Sequence, residues 1–215
     1  MKRPEFIARQ AGHPKGLVGG LIAKIMADET SPENDFALDL LDLRVQDRFL
    51  DIGTGHGATL LKAAALTPDG FAAGIDPSRV MVRHAKRRLK PFIRAGHAQV
   101  ELANAARIPF ADESFDKLLT VHTIYFMDDL GTPLSEIFRV TKPGGRFVLC
   151  FRPAEDVSFA ETFPKTVYRI RMKQVVLDAV KAAGFNLSRV LEHVEPEGRL
   201  ATLVFAIAEK PEVIH

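Results

Sequence analysis

Short apolar runs alternate with helical stretches along most of the chain. Residues 47–52 (Asp47-Arg48-Phe49-Leu50-Asp51-Ile52) form an apolar run that stops at glycines, and Ala58 to Leu66 then has helical spacing. The pattern recurs: Gly70 to Asp76 reads as a strand, and Pro77-Ser78 opens a helix through Leu89 with Ser78 as its cap. A third strand is predicted at Ala98 to Leu102. A fourth, Lys117 to Val121, follows the turn-like Asp112-Glu113-Ser114-Phe115-Asp116. A helix from Pro133 to Val140 leads through Lys142-Pro143-Gly144-Gly145 into a fifth strand, Arg146 to Phe151. Because each parallel strand pair needs a crossover, this alternation predicts an α/β fold with a parallel sheet covered on both faces.

Met172, Val175, Val176, Ala179, Val180 and Ala183 recur at helical spacing and end at Gly184. The last two apolar runs, Leu187 to Val194 and Leu200 to Ala208, are joined only by Glu195-Pro196-Glu197-Gly198-Arg199, which is too short for a crossover helix. They are expected to pair as an antiparallel hairpin. Residues 1–46 form a helical extension ahead of a core at 47–215, with helical patterns at Leu17 to Met26 and Asp35 to Leu43. Glycines 16, 19 and 20 weaken the first of these. His13-Pro14-Lys15-Gly16-Leu17-Val18-Gly19-Gly20 joins a rigid proline to hinge-like glycines, and the extension is expected to close over the site as a lid.

Composition narrows the field. At 215 residues and 47% apolar content the chain can fill one core with a modest extension. Its 29 lysines and arginines against 27 acidic residues leave a charge of +2, too small to steer nucleic acid or anionic lipid. Arg79, Arg83, Lys86, Arg87, Arg88 and Lys90 read as a solvated helix face, with no aromatics interleaved for base stacking. No nucleic-acid partner is expected, and the acceptor of any chemistry is expected to be a small molecule. The single cysteine, Cys150, excludes an internal disulfide and a cysteine metal cluster, which fits a reducing cytoplasm. Histidines 84, 97 and 193 lack metal-ligand spacing, so no metal site is expected. No apolar run suits a signal peptide or a bilayer span, so a soluble, cytoplasmic protein is expected.

The candidate chemistry lies in Asp51-Ile52-Gly53-Thr54-Gly55-His56-Gly57. A glycine-rich turn between strand and helix lets backbone approach a ligand and aims helix N–H groups at it. The spacing alone also satisfies the dinucleotide pattern G-x-G-x-x-A, so an NAD(P)-dependent oxidoreductase stays open at this point. Asp76 ends the next strand, 21 residues beyond Gly55, where a carboxylate accepts from both hydroxyls of a ribose. Asp51 separates the two cofactors: it would repel a pyrophosphate but suits the ammonium end of S-adenosylmethionine. The helical stretch before the glycine turn and the terminal hairpin are two further departures from a dinucleotide fold.

In these segments the chain resembles the class I S-adenosylmethionine-dependent methyltransferases, in the branch of small single-domain members. Asp51 to Gly57 looks like their first motif, and Gly74-Ile75-Asp76-Pro77-Ser78 with Met81 looks like the second. Asn104-Ala105-Ala106-Arg107-Ile108-Pro109-Phe110 with Ser114-Phe115-Asp116 is similar to the adenine-side segment. Arg139-Val140-Thr141-Lys142-Pro143-Gly144-Gly145 is similar to the turn before the fifth strand. The resemblance implies a Rossmann-like, doubly wound, mostly parallel seven-stranded sheet with the last strand antiparallel. It implies S-adenosylmethionine as donor and S-adenosylhomocysteine as product. Asp51 and Gly53, Thr54, Gly55 and Gly57 would then face the methionine part, Asp76 and Pro77 the ribose side, Met81 one face of the adenine, and Asn104 with Ala105 its edge. The family more often carries aspartate where Asn104 stands; an amide can still accept from the adenine amino group but brings no charge.

Val121-His122-Thr123-Ile124-Tyr125 begins where the fourth strand ends, the side on which open parallel sheets bind ligands. This places His122, Thr123 and Tyr125 near the transferable methyl, with His122 as a cofactor contact and candidate general base and Tyr125 as a second candidate catalytic residue that more readily lines the pocket. A non-catalytic module that binds the cofactor and works through partners is a further alternative, since displacement at a sulfonium needs no dedicated base.

Overall fold

Runs apolar on every position can be buried only between two helical layers, and the strands are arranged accordingly. The computed structural model describes residues 31–194 and 202–212, together with Glu5. The elements run α1 (Ser31–Asp39), β1 (Arg48–Ile52), α2 (Ala58–Leu66), β2 (Phe71–Asp76), α3 (Arg79–Arg88), α4 (Lys90–Arg94), β3 (Ala98–Leu102) and β4 (Phe115–Val121). After a 3-10 turn at Ile124–Phe126 come α5 (Gly131–Val140), β5 (Thr141–Phe151), α6 (Val157–Thr162), α7 (Lys173–Ala182), β6 (Asn186–Val194) and β7 (Thr202–Glu209). The predicted helix at Leu17 to Met26, the hinge at His13 to Gly20 and the turn Glu195 to Arg199 lie outside the described residues.

The sheet has seven strands in the order β3-β2-β1-β4-β5-β7-β6. Pairs from β3 through β5 are parallel, whereas β7 lies between β5 and β6 and is antiparallel to both. Alternation along the strands divides the core. Leu50, Ile52, Ile75, Leu118, Phe147 and Leu149 pack on the face that holds α5 and α7. Phe49, Ala72, Leu119, Val148, Phe205 and Ile207 pack on the face of α1, α2 and α3. Among the described residues no helix is long and apolar enough to cross a membrane.

Several predicted boundaries move for identifiable reasons. The helix expected from Asp35 to Leu43 instead starts at Ser31, with Pro32 in its first turn, and ends at Asp39; Asp42 then takes φ 53° as the chain turns. Past Leu89 the chain does not leave the helical region but restarts as α4, because Pro91 sits at a first-turn position where its missing N–H costs nothing. The turn Lys142 to Gly145 falls inside β5: Thr141 pairs with Phe115 before a bulge resets the register to Lys117↔Arg146. On α7 only Val176, Leu177 and Val180 are buried, and Met172 and Val175 remain half exposed.

α6 was not foreseen, being too short for periodicity. The Asp156 carboxylate caps it, accepting from Phe159 N at 3.0 Å, and also accepts from Thr202 N at 3.2 Å, which ties α6 to the start of β7.

The segment between β3 and β4 has no regular structure, and Arg139 of α5 holds it. Its guanidinium donates to Ile108 O and Phe110 O, both at 2.9 Å, and to the carboxylates of Glu136 and Asp112 at 2.7 Å. Glu136 in turn accepts from Ile108 N at 2.9 Å. Arg139→Ala strips two carbonyls of their donors and is expected to cost about 1–3 kcal/mol in urea unfolding. Arg139→Lys, lacking the planar fork, should recover only part of that loss.

Candidate functional site

The carboxyl ends of β1, β2, β4 and β5 open on one edge of the sheet, and the turns leaving them form the site. The first turn is stitched to β2: Gly53 N and Thr54 N both donate to Ile75 O, at 2.9 and 3.0 Å. All three glycines have positive φ, 79° at Gly53, 54° at Gly55 and 80° at Gly57, but their surroundings differ. A Cβ on Gly53 would fall 2.1 Å from Thr123 Cγ2 of the turn after β4, and one on Gly57 2.9 Å from Ala85 Cβ of α3. Around Gly55 such an atom would meet nothing within 4 Å. Gly53 and Gly57 therefore serve packing, and Gly55 presents bare backbone to open space.

Buried carboxylates flank that space. Asp51, 5% exposed, accepts from Thr54 Oγ1 at 2.8 Å. Burial pushes its carboxyl up to about 7; the Thr54 bond opposes the rise and the charge on Asp76 adds to it. Asp76, 7% exposed, accepts from Gly55 N at 2.9 Å on one oxygen and from Ser78 N at 2.8 Å on the other. It thus fixes both the glycine turn and the entry to α3. Ser78 caps α3 as expected, accepting from Met81 N at 3.4 Å.

Met81 is buried in the first turn of α3, while Pro77 is exposed. Asn104 is also exposed, and its Oδ1 accepts from Ala106 N at 3.0 Å, so part of its accepting capacity shapes its own loop; Ala105 is half-buried beside it.

The turn after β4 brings in groups that motif reading did not find. Thr120 Oγ1 donates to Ile52 O at 3.0 Å and bonds Thr123 Oγ1, which locks this turn against Gly53. His122 stands at φ 57°, its N–H held by Cys150 O at 2.9 Å. Its Nδ1 lies 3.1 Å from Tyr125 Oη and its Nε2 bonds the Glu33 carboxylate, 89 residues away on α1. Arg152, just past β5, donates from Nη2 to Glu33 at 2.8 Å and from its backbone N to Tyr125 Oη at 2.6 Å. Tyr125 is 2% exposed among Phe126, Phe159 and Tyr168, and burial pushes its phenol well above the ordinary value. Asp51, Asp76, His122 and Tyr125 thus stand at or just past the carboxyl ends of β1, β2 and β4, while Asn104 and Pro77 are exposed.

The family described as "Methyltransferase domain" matches residues 50–149. Among curated relatives, the ubiquinone/menaquinone biosynthesis C-methyltransferase UbiE of Geotalea daltonii is 37% identical over 115 residues, 53% of this chain and 49% of that protein. The uncharacterized methyltransferase YdaC of Bacillus subtilis is 28% identical over 189 residues, 87% of this chain and 96% of that one. The chain spans about half the length of the first curated relatives it matches. In fold it is similar to geranyl diphosphate C-methyltransferase from Streptomyces coelicolor, solved with Mg2+, geranyl-S-thiolodiphosphate and S-adenosyl-L-homocysteine. That likeness has a TM-score of 0.70 at 17% identity and covers 84% of this chain and 76% of that one. With the strand order and the glycine turn beside β2, these matches make residues 50–149 similar to a methyltransferase domain and the whole fold similar to that of class I S-adenosylmethionine-dependent methyltransferases.

Proposed function

We propose that the chain transfers the methyl group of S-adenosylmethionine to a small-molecule acceptor and releases S-adenosylhomocysteine. The observation that carries this reading is the open face over Gly55 between two buried carboxylates, in a chain whose residues 50–149 are similar to a methyltransferase domain. The residues present fit the cofactor. A buried carboxyl near pH 7 such as Asp51 suits an ammonium group, and the Asp76 carboxylate at the end of β2, beside the backbone of Gly55, suits a ribose diol. Bound there, the sulfonium supplies an activated methyl on a neutral leaving group.

In this assignment Gly53, Thr54, Gly55 and Gly57 support the methionine part through backbone. Asp76 and Pro77 take the ribose side, Met81 one face of the adenine, and Asn104 with Ala105 the adenine edge. His122 and Tyr125 border the methyl and the acceptor. The names of UbiE and of geranyl diphosphate C-methyltransferase support a small organic acceptor, as does the nearly balanced charge of +2. A cytoplasmic place of action fits the single, buried Cys150.

Calorimetry with S-adenosylhomocysteine, NAD and NADP tests the cofactor. Binding of the first alone is expected, and Asp76→Ala should weaken it by about 10-fold or more through loss of charge-assisted bonds. Tight NAD binding without an adenosylhomocysteine signal, or unaltered affinity in the variant, would overturn the assignment.

Asp51 gives a pH signature. Its carboxyl must be ionised to hold an ammonium, so affinity is expected to fall as pH drops below about 7, with proton release on binding there. In the free protein the raised value has the opposite consequence. The folded chain holds this proton more tightly than the unfolded one, whose value is near 3.8, so stability is lost as pH rises from there toward 7. Asp51→Asn removes that loss: at pH 8 the free protein should gain about 1.4 kcal/mol or more, while cofactor affinity falls. Paired urea melts at pH 5 and pH 8 measure the first effect and calorimetry the second.

A further inference from the structure

The first turn of α1 and the ends of β4 and β5 meet in one buried polar cluster whose hydrogen-bond directions follow from donor inventory. Glu33, 8% exposed, takes Nε2–H of His122 on one oxygen and Nη2–H of Arg152 on the other. Burial raises its carboxyl, but the bonds from His122 and Arg152 outweigh that and hold it below the usual value, so it is an ionised, accept-only group. Nε2 therefore carries a proton. The Arg152 backbone N–H can only donate, so Tyr125 Oη accepts it at 2.6 Å. In the neutral ring Nδ1 has a lone pair, and it receives the Tyr125 hydroxyl at 3.1 Å. Every bonding position of the His122 ring is then used, and Tyr125 Oη keeps one lone pair.

We propose that Glu33 is the positioning residue of a Tyr125–His122 proton relay that takes up the proton an acceptor loses on methylation, so that the acceptor class carries an acidic O–H or C–H. The inference rests on the methyl-transfer reading above. As the acceptor's electron pair forms the bond to the methyl carbon, the carbon–sulfur pair stays with sulfur. The acceptor's proton passes to Tyr125 Oη while the Tyr125 proton passes to His122 Nδ1. Glu33 neutralises the imidazolium so formed, and that proton leaves to water after product release. Tyr125 remains neutral throughout, as its burial requires. The rings of Phe126, Phe159 and Tyr168, with centroids 6.3, 5.3 and 5.6 Å from that of Tyr125, keep water away from the exchange. The strained φ of His122 and the bond from its N–H to Cys150 O hold the ring in line.

The test uses the full chain and three measurements. With 15N-histidine labelling, the His122 signal, assigned by its loss in His122→Gln, should show a protonated Nε2 and a bare Nδ1 in the neutral ring. A panel of phenols, hydroquinones and 1,3-dicarbonyls, set against thiols and tertiary amines, is scored for S-adenosylhomocysteine release. Calorimetry with S-adenosylhomocysteine accompanies each variant. Turnover is expected for a member of the first group. Glu33→Gln, which keeps the hydrogen bond but loses the charge, should lower kcat about 100-fold with KM and S-adenosylhomocysteine affinity little changed, and Glu33→Asp should recover part of the rate. A protonated Nδ1, wild-type turnover in Glu33→Gln, turnover confined to thiols or tertiary amines, or cofactor binding with no turnover of any panel member would each overturn the relay. Failure of the unaltered chain to bind S-adenosylhomocysteine would instead overturn the methyl-transfer reading beneath it.

Discussion

The architecture of the site depends on how closely the first glycine turn sits against β2. In the sheet Asp51 lies beside Gly74 and Ile52 beside Ile75, and the turn then folds back so that two successive N–H groups share Ile75 O. A side chain at position 74 would prevent this, since a Cβ there would come within 2.6 Å of Leu60 Cδ2 and 3.0 Å of Thr54 Cβ. The approach is secured by Asp76, whose carboxylate reaches back to Gly55 N as well as forward to Ser78 N. A single buried acid thus sets the distance between two βα turns, and with it the width of the space over Gly55. The same proximity places Asp51 and Asp76 in one desolvated region, where mutual repulsion raises the cost of ionising both. Keeping the two acids this close therefore costs the free protein stability as Asp51 ionises.

How much of this was legible in the chain follows from sequence separation. The β1–α2–β2 segment and β3 are encoded by neighbouring residues, because an apolar run, a glycine stop and a capping serine are all local; α2 and β3 fall within the predicted limits. The seven-stranded order with β7 antiparallel also agrees with the expectation. Local pattern does not separate the three glycines: all three read as turn, and only Thr123 and Ala85, contributed by other elements, distinguish the packing glycines from the one that faces open space. Nor does it show Glu33. An acidic residue in the first turn of a helix is ordinary by helix-dipole arguments. Its significance comes from His122 and Arg152, which are 89 and 119 residues away.

The two halves of the site therefore differ in kind. The half around the glycine turn is built from turns after adjacent strands and held mainly by backbone N–H groups, so few side chains are constrained. The half around Tyr125 is built by ion pairs and rings between distant segments: α1, the turn after β4, the residues after β5, and α6. Segment 168–171 braces it, with Arg169 N donating to Tyr125 O at 2.9 Å and Arg171 to Ile124 O at 2.9 Å and Met127 O at 2.6 Å.

The stretch shared with the family, residues 50–149, coincides with this division. It contains Asp51, the glycine turn, Asp76, Asn104, His122 and Tyr125. It leaves out Glu33, Arg152, Phe159 and Tyr168, which pack on Tyr125 or bond it and His122, and Phe163, which packs on Phe159 and Tyr168. His122 and Tyr125 are thus supplied by the matched stretch, while the carboxylate bonded to the imidazole and the rings packed on the phenol come from outside it. If proton removal is controlled there, relatives that keep the core and change the flanking segments can retain the donor and differ in what they methylate. Acceptor choice would then follow the residues at positions 33 and 152–168 more closely than any residue of the glycine turn.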